Sequence, residues 1–402
     1  MTELLFNPFE PGFTDDPYPA YRRLRESEPV HESPFGFWVL SGYEDIAGLL
    51  RAGLSVDDRK LDPGPVRDQR DQLAHAGDNV LGMSMLDRDP PDHTRLRSLV
   101  GKVFTPRKVA ALEPEITGLV DSMLDEIETA GRVDLMATLA FPLPFAVISK
   151  LLGMPAADHA RIRDLSGLLV RTLEPVADQE LLATVSKAGG EMTQVIREAL
   201  AWKRAHPAQD LLTALIAAEQ DGDRLSDDEL IAQVALLYIA GHETTMNLIA
   251  NGVTALLRNP AQLALLRERP ELAANAIEEF LRFDSPVQQT RRITLEPYTV
   301  GGRTIPPRSF VLACLASANR DARFWGSDAE ELRIEREQAR NHVSFGAGVH
   351  YCLGPALARL EGRVAIERLV TRFPALAFAG EVEMNGRMNL RGPEHLPVTI
   401  QP

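Results

Sequence analysis

The sequence predicts a mainly helical protein with small β-sheets, an α+β arrangement in a single domain spanning residues 1–402. Three observations predict it. Apolar residues recur at three- and four-residue spacing over long stretches, strand-like alternation is confined to a few short runs, and no internal repeat, heptad array or Gly/Ser linker marks a domain boundary. A chain of 402 residues that is 45% hydrophobic and 25% charged has the composition of a globular protein with a substantial core.

The helical stretches are residues 106–127, 179–204, 227–257, 260–283 and 353–373. Ser226 followed three residues on by Glu229 is a capping box that opens the third, and Pro355 falls in the first turn of the last. Strand-like runs are VHES and FGFWVLSG near the N-terminus and ITLEPYTVGGRTIPPRSFVLA over 293–313, where Gly301-Gly302 supplies a hairpin turn. Small sheets are therefore expected beside a helical body.

Acidic residues outnumber basic ones 57 to 43, for a net charge of -14, which speaks against a nucleic-acid partner. Two cysteines, Cys314 and Cys352, cannot make a disulfide framework and suit a reducing, cytoplasmic setting. The opening MTELLFNPFEPGF has no leading Lys or Arg and is interrupted by Glu and Pro, so it does not read as a signal peptide. Residues 230–257 have the length of a membrane span but carry His242 and Glu243 at their centre, with Gln233, Asn247 and Asn251 beside them. A carboxylate there would cost about 2.5–3.5 kcal/mol in a bilayer. This stretch is expected as a buried helix in a protein with no membrane span.

The chemistry concentrates in Phe345-Gly-Ala-Gly-Val-His-Tyr-Cys352-Leu-Gly354, a glycine-rich loop that brings a lone cysteine to the start of the last helix. Unpaired amides and the positive helix end favour thiolate there. Glycines 346, 348 and 354 let backbone approach something large and flat. Zinc is poorly served, because His342, His350 and Cys352 form no CxxC pair, and a dinucleotide loop fails because Tyr351 stands where GxGxxG needs its third glycine. A cysteine hydrolase with a distant histidine base stays open. A single axial thiolate to haem iron uses every feature of the loop.

With these residues the sequence resembles the cytochrome P-450 superfamily, whose FGxGxHxCxG signature is matched by Phe345, Gly346, Gly348, His350, Cys352 and Gly354. The resemblance runs through Asp16-Pro-Tyr-Pro-Ala-Tyr, Ala318-Asn-Arg-Asp321 and Leu396-Pro-Val398, and departs where an acidic Asp-Pro step gives way to Trp325-Gly-Ser-Asp328. It implies haem b, with Cys352 as the axial ligand to iron and Phe345, Gly346, His350 and Gly354 around the cofactor. It further implies that Glu243 and Thr244 form an acid-alcohol pair supplying protons to bound dioxygen, with Gly241 opening the helix for the oxygen. Glu279 and Arg282 match the ExxR pair that braces the haem-binding core. The same spacing at Glu330/Arg333 and Glu337/Arg340 would ordinarily mean exposed pairs. His93, Arg97, Arg292 and His350 are implied to hold the haem propionates, Arg292 being preferred to Arg291 by its place before Ile293-Thr294.

The activity implied is monooxygenation of a mostly apolar small molecule, a macrolide, terpene or steroid-like secondary metabolite, by hydroxylation or epoxidation. A haem-thiolate peroxygenase or a non-catalytic haem-binding protein is the alternative, and neither needs the acid-alcohol pair. Substrate contacts are expected from Leu236, Leu237, Ala240, Val287 and Gln288, and more broadly from 56–85, 165–187 and 390–393. Since the haem domain uses the whole chain, the two electrons are expected from a separate ferredoxin and ferredoxin reductase. The docking face would draw on Arg97, Lys102, Arg107, Arg340, Arg359 and Arg363.

Overall fold

The long apolar stretch folds as one helix, Asp227–Arg258, and the rest of the molecule is arranged around it. A computed structural model of the chain describes residues 6–401 except 65, 69–70, 72–79, 103, 156–157, 175–178 and 221–222. The capping box is formed: the Ser226 hydroxyl accepts from the Glu229 amide and the Glu229 carboxylate from the Ser226 amide, at 3.2 and 2.9 Å. This central helix packs on Pro142–Leu152, Gln179–Ala205, Ala273–Phe283 and Pro355–Arg372, which explains why it is apolar on nearly every side. Among the described residues no helix is long and apolar enough to cross a membrane.

Two of the expected helices are broken. Residues 106–127 divide into Pro106–Ala110 and Glu113–Ala130, and Pro114 in the first turn of the second explains the break, since it has no amide to continue the first. Residues 260–283 divide into Pro260–Glu268 and Ala273–Phe283 around Pro270, which opens a short 3₁₀ turn, for the same reason. The last helix is Pro355–Arg372, with Gly354 at its N-cap. Helices Tyr18–Ser27, Tyr43–Arg51, Asp92–Gly101, Pro142–Leu152 and His159–Leu169 lie outside the stretches that periodicity picked out.

The strand-like runs pair as a four-stranded sheet in the order Val30–Glu32, Trp38–Leu40, Phe310–Ala313, Thr290–Ile293. The second and third strands run parallel and the outer pairings are antiparallel. Tyr298–Val300 and Arg303–Ile305 form the hairpin, turned by Gly301 and Gly302, both at positive φ. The main core lies between Glu113–Ala130, the second half of the central helix, Ala273–Phe283 and Pro355–Arg372, with Ile116, Leu124, Ile249, Val253, Phe280 and Leu369 buried at its centre. Arg363, Arg368 and Arg372 reach across to Glu113, Asp121 and Asp125 and tie the last helix to Glu113–Ala130.

Candidate active site

The cysteine loop closes on itself before the last helix begins. Gly346 and Gly348 sit at φ +68 and +70, a region that side-chain-bearing residues avoid, and a Cβ on Gly348 would lie 2.5 Å from the Leu50 carbonyl oxygen. The Cys352 amide donates to the Phe345 carbonyl at 2.9 Å, which draws the loop into a hairpin-like turn. Gly354 lies at φ -104, an ordinary backbone conformation, and a Cβ there would make only an ordinary contact with Phe104 at 3.8 Å. Burial raises the Cys352 thiol above its ordinary range, outweighing the Gly354 amide and the cations Arg97 and Arg359 that favour the thiolate. A coordinated metal ion removes that penalty, since a coordinating thiol is deprotonated outright.

Cys352 lines a cavity of about 320 Å³ beneath the central helix. The same cavity is lined by His93, Arg97, Arg292, Phe345, Gly346, His350 and Gly354, and across from them by Leu236, Leu237, Ala240, Thr244 and Val287. Residues far apart in sequence are thus brought to one space. Val56 and Met85 line it too, but 65, 69–70 and 72–79 lie outside the described residues, as do 175–178 of the 165–187 stretch. None of the described residues of 165–187 or 390–393 lines the cavity, contrary to expectation.

One wall of this cavity is cationic and short of acceptors. Neither ring nitrogen of buried His93 has a hydrogen-bond partner, nor does Nε2 of His350, and the two rings stand 4.1 Å apart. Burial, His93 and Arg292 push the His350 imidazole down to about 3, so it is neutral. Arg292 donates only to the Thr290 hydroxyl and the Arg291 carbonyl, and burial together with the Arg291 charge lowers its guanidinium to about 10. Arg97 has no ion-pair partner among the described residues. Arg291, by contrast, is neutralised by Asp58 and Asp87 at 3.0 and 2.5 Å. Buried donors without acceptors are costly unless an anion completes them. The two propionates of haem would fit this wall, with the Cys352 sulfur in the same cavity to hold its iron.

The acid and the alcohol do not share the cavity. The Thr244 hydroxyl lines it and donates to the Ala240 carbonyl at 2.8 Å, whereas Glu243 points elsewhere, into an ion pair with Arg387, its other oxygen 3.4 Å from His242 Nε2. Burial would raise the Glu243 carboxyl, but His242 beside it and the Arg387 charge outweigh that and hold the group below its usual range. Consecutive residues on a helix diverge by about 100°. The helix also remains regular at Gly241, so no opening forms there. Gln288 is likewise corrected: adjacent extended residues point to opposite sides, so Val287 lines the cavity while the Gln288 amide group is buried on the Ser285 carbonyl at 2.7 Å.

Glu279 and Arg282 form a bidentate pair at 2.7 and 2.8 Å with both side chains fully buried, and Arg282 also donates to the carbonyls of Asn319, Ala329 and Glu331. The other two ExxR matches form no such pair: Arg333 turns to Asp328, and Arg340 approaches Glu278 at 3.9 Å. Functional neighbours that the sequence did not suggest are Arg387, Glu361 and Ile148. Ile148 and Glu361 line the cavity, and complete burial drives the Glu361 carboxyl well above its ordinary range. Leu248 was legible in principle, since it continues the four-residue spacing of Leu236, Ala240 and Thr244 along the cavity-facing side.

Comparisons with known proteins agree with this geometry. The family model for cytochrome P-450 matches residues 179–385. Vitamin D(3) 25-hydroxylase of Pseudonocardia autotrophica is 44% identical over 403 residues, covering 98% of this chain and 96% of that protein. Cytochrome P-450 monooxygenase PikC of Streptomyces venezuelae is 39% identical over 397 residues, covering 96% and 91%. The crystal structure of the myxobacterial cytochrome P-450 CYP267B1 in complex with myristic acid matches with a TM-score of 0.90 at 36% identity, covering 98% of this chain and 99% of that one. Likeness of this extent, with a thiolate loop and an acceptor-poor wall that suit haem, shows that the chain belongs to the cytochrome P-450 family and is a monooxygenase that binds haem b through a cysteine thiolate.

Proposed function

We propose that this monooxygenase hydroxylates or epoxidises a mostly apolar secondary metabolite, of macrolide, terpene or steroid-like kind, with two electrons from a separate ferredoxin served by its reductase. The observation that carries this reading is the division of the cavity into a donor-rich wall around Cys352 and an apolar wall of Leu236, Leu237, Ala240, Ile148 and Val287. An apolar wall whose polar groups are the hydroxyls of Thr244 and Thr245 suits a ligand recognised by shape with few polar contacts. The names of the relatives point the same way, one acting on vitamin D(3) and one holding myristic acid.

When bound, haem supplies dioxygen activation and oxygen transfer, with Cys352 as its iron ligand and Phe345, Gly346 and Gly354 shaping the loop against it. The chain's own residues do the rest. His93, Arg97, Arg292 and His350 hold the propionates by donating to them. Leu236, Leu237, Ala240 and Val287 orient substrate and keep bulk water from it. Thr244 holds a proton at the cavity surface. Glu243, on the adjoining helix position and ion-paired with Arg387, is joined to the Thr244 hydroxyl through water and relays protons to it by that route.

Arg359 and Arg363 are poor candidates for the ferredoxin face, because the first pairs with Glu278 and the second with Glu113 and Glu367, and Arg97 is turned into the cavity. Arg107 and Arg340 are exposed on short elements flanking the thiolate loop and the last helix, and are the better supported pair.

The deciding experiment is the carbon-monoxide difference spectrum of the reduced protein beside Cys352→Ser, followed by titration with steroids, macrolides and fatty acids for spin-state shifts. A strongly red-shifted Soret band present only in the parent is expected, with a response to at least one of the three ligand classes. The same spectrum in both proteins would overturn the assignment of Cys352, and silence across the panel would overturn the substrate class.

A further inference from the structure

The ExxR pattern gives Glu279 its task but leaves Glu278 without one, although Glu278 is just as deeply placed, at 3% exposure. A buried carboxylate is retained only where cations and donors compensate it. Around Glu278 they are specific. Arg359 reaches it from the last helix with two hydrogen bonds at 2.7 and 3.0 Å, and His342 Nε2 from the approach to the thiolate loop at 3.1 Å. The Ser344 amide donates to His342 Nδ1 at 3.1 Å, which places the ring proton on Nε2 and so makes the imidazole a donor to Glu278. Both partners lie against the same side chain. The Arg359 guanidinium stands 4.7 Å from the centre of the Phe345 ring, and the His342 ring 5.4 Å from it. Phe345 in turn accepts the Cys352 amide and lines the cavity beside its sulfur.

We infer that Glu278 is a positioning residue for the thiolate: it anchors Arg359 and His342 against Phe345, and its charge neutralises Arg359, so that it sets the electrostatic environment of Cys352 and with it the reduction potential of the iron. The inference deepens the haem-thiolate reading and rests on it. Arg359 is the only cation of this group that also acts on the sulfur, favouring its charged form. With Glu278 in place, its carboxylate offsets the guanidinium it binds; without it, Arg359 presents an uncompensated positive charge to the thiolate. A positive charge near the metal favours the electron-richer ferrous state, and loss of one favours the ferric state.

The test is a charge cycle read by potentiometry of the ferric/ferrous couple in the haem-loaded protein, with the reduced carbon-monoxide spectrum as a check on ligation. Glu278→Gln should raise the midpoint potential, Arg359→Met should lower it, and the double variant should return towards the parent, all three keeping the thiolate band. Single variants that shift the potential in the same direction, that do not move it, or that lose the thiolate band would overturn the inference, for then the cluster merely packs the loop. Should Glu278→Gln fail to fold, Arg359→Met and Arg359→Lys carry the test. The first must lower the potential and the second, which keeps the charge, must shift it less; any other order overturns the proposal. A parent protein without the thiolate band would overturn the ligand assignment as well, whereas a thiolate band with unmoved potentials overturns only the role of Glu278.

Discussion

Glu243 shows how far adjacency in sequence can differ from adjacency in a site. Its carboxylate is committed to Arg387, on the turn before the C-terminal strands, and that turn is itself held down by Glu174, whose carboxylate accepts the amides of Met388, Asn389 and Leu390. Removing the guanidinium leaves a buried charge uncompensated, a loss of about 3–5 kcal/mol. Arg387→Met should therefore lower the unfolding midpoint markedly, and Arg387→Met combined with Glu243→Gln should recover much of that loss; equal midpoints for the single and double variants would show that Arg387 acts through packing. Glu243→Gln alone should keep the carbon-monoxide spectrum while turnover falls by roughly 10²-fold, the lower end of what general acid-base groups contribute. Unchanged turnover would remove Glu243 from proton delivery.

At the level of elements, the Ala273–Phe283 helix is held by charges that do not reach solvent. Arg282 is saturated by Glu279 and three carbonyls, and Arg336 adds a second cation to Glu279 at 3.2 Å. Arg282→Met should cost about 3–5 kcal/mol in denaturant unfolding, while Arg333→Met, at an exposed pair, should leave the midpoint nearly unchanged. Similar losses would mean that burial does not distinguish the ExxR matches. The same helix carries a pH dependence. Burial would raise Glu278, but the hydrogen bonds of His342 and Arg359 and the Arg359 charge prevail and bring it from 4.5 down to about 2. A carboxyl lowered by folding stabilises fully above its unfolded value and loses that contribution as pH falls through the folded one. The stability gap between the parent and Glu278→Gln should therefore be constant above pH 5 and close between pH 4.5 and 2; a gap independent of pH in that window would show that the charge is immaterial.

For the whole molecule, a net charge of -14 coexists with a proposed ferredoxin face, so the basic residues must act locally. Arg107→Glu should slow reduction by ferredoxin, more at low ionic strength than at high, with little change in the thermal midpoint. A rate unaffected at low salt would remove Arg107 from the face. The apolar cavity wall predicts a complementary effect on ligands: Ala240→Leu should fill space opposite Cys352 and weaken spin-state titrations by the bulkiest ligands first. If large and small ligands weaken equally, the cavity is not selecting by size.

The helical class, the central helix with its capping box, the hairpin at Gly301-Gly302 and the loop carrying Cys352 are written in short stretches of chain, because each is encoded by local periodicity, turn chemistry or contiguous spacing. The residues proposed to hold the propionates were legible only through resemblance, since a lone His93 or Arg292 has no local pattern to mark it. Proline breaks at 114 and 270 were visible yet overridden by the apolar periodicity on either side. Which member of these adjacent pairs faces the cavity, Thr244 and not Glu243, Val287 and not Gln288, depends on packing in the folded molecule, because a helix or strand turns neighbours apart and packing selects one face. The tertiary structure also decides which charges are available: Arg359 belongs to Glu278, Glu243 to Arg387 and Arg291 to two aspartates, while Arg292 keeps its donors for an anion. Partners for buried charges come from distant parts of the chain, so the energy that fixes them resides in long-range contacts that no window of sequence contains.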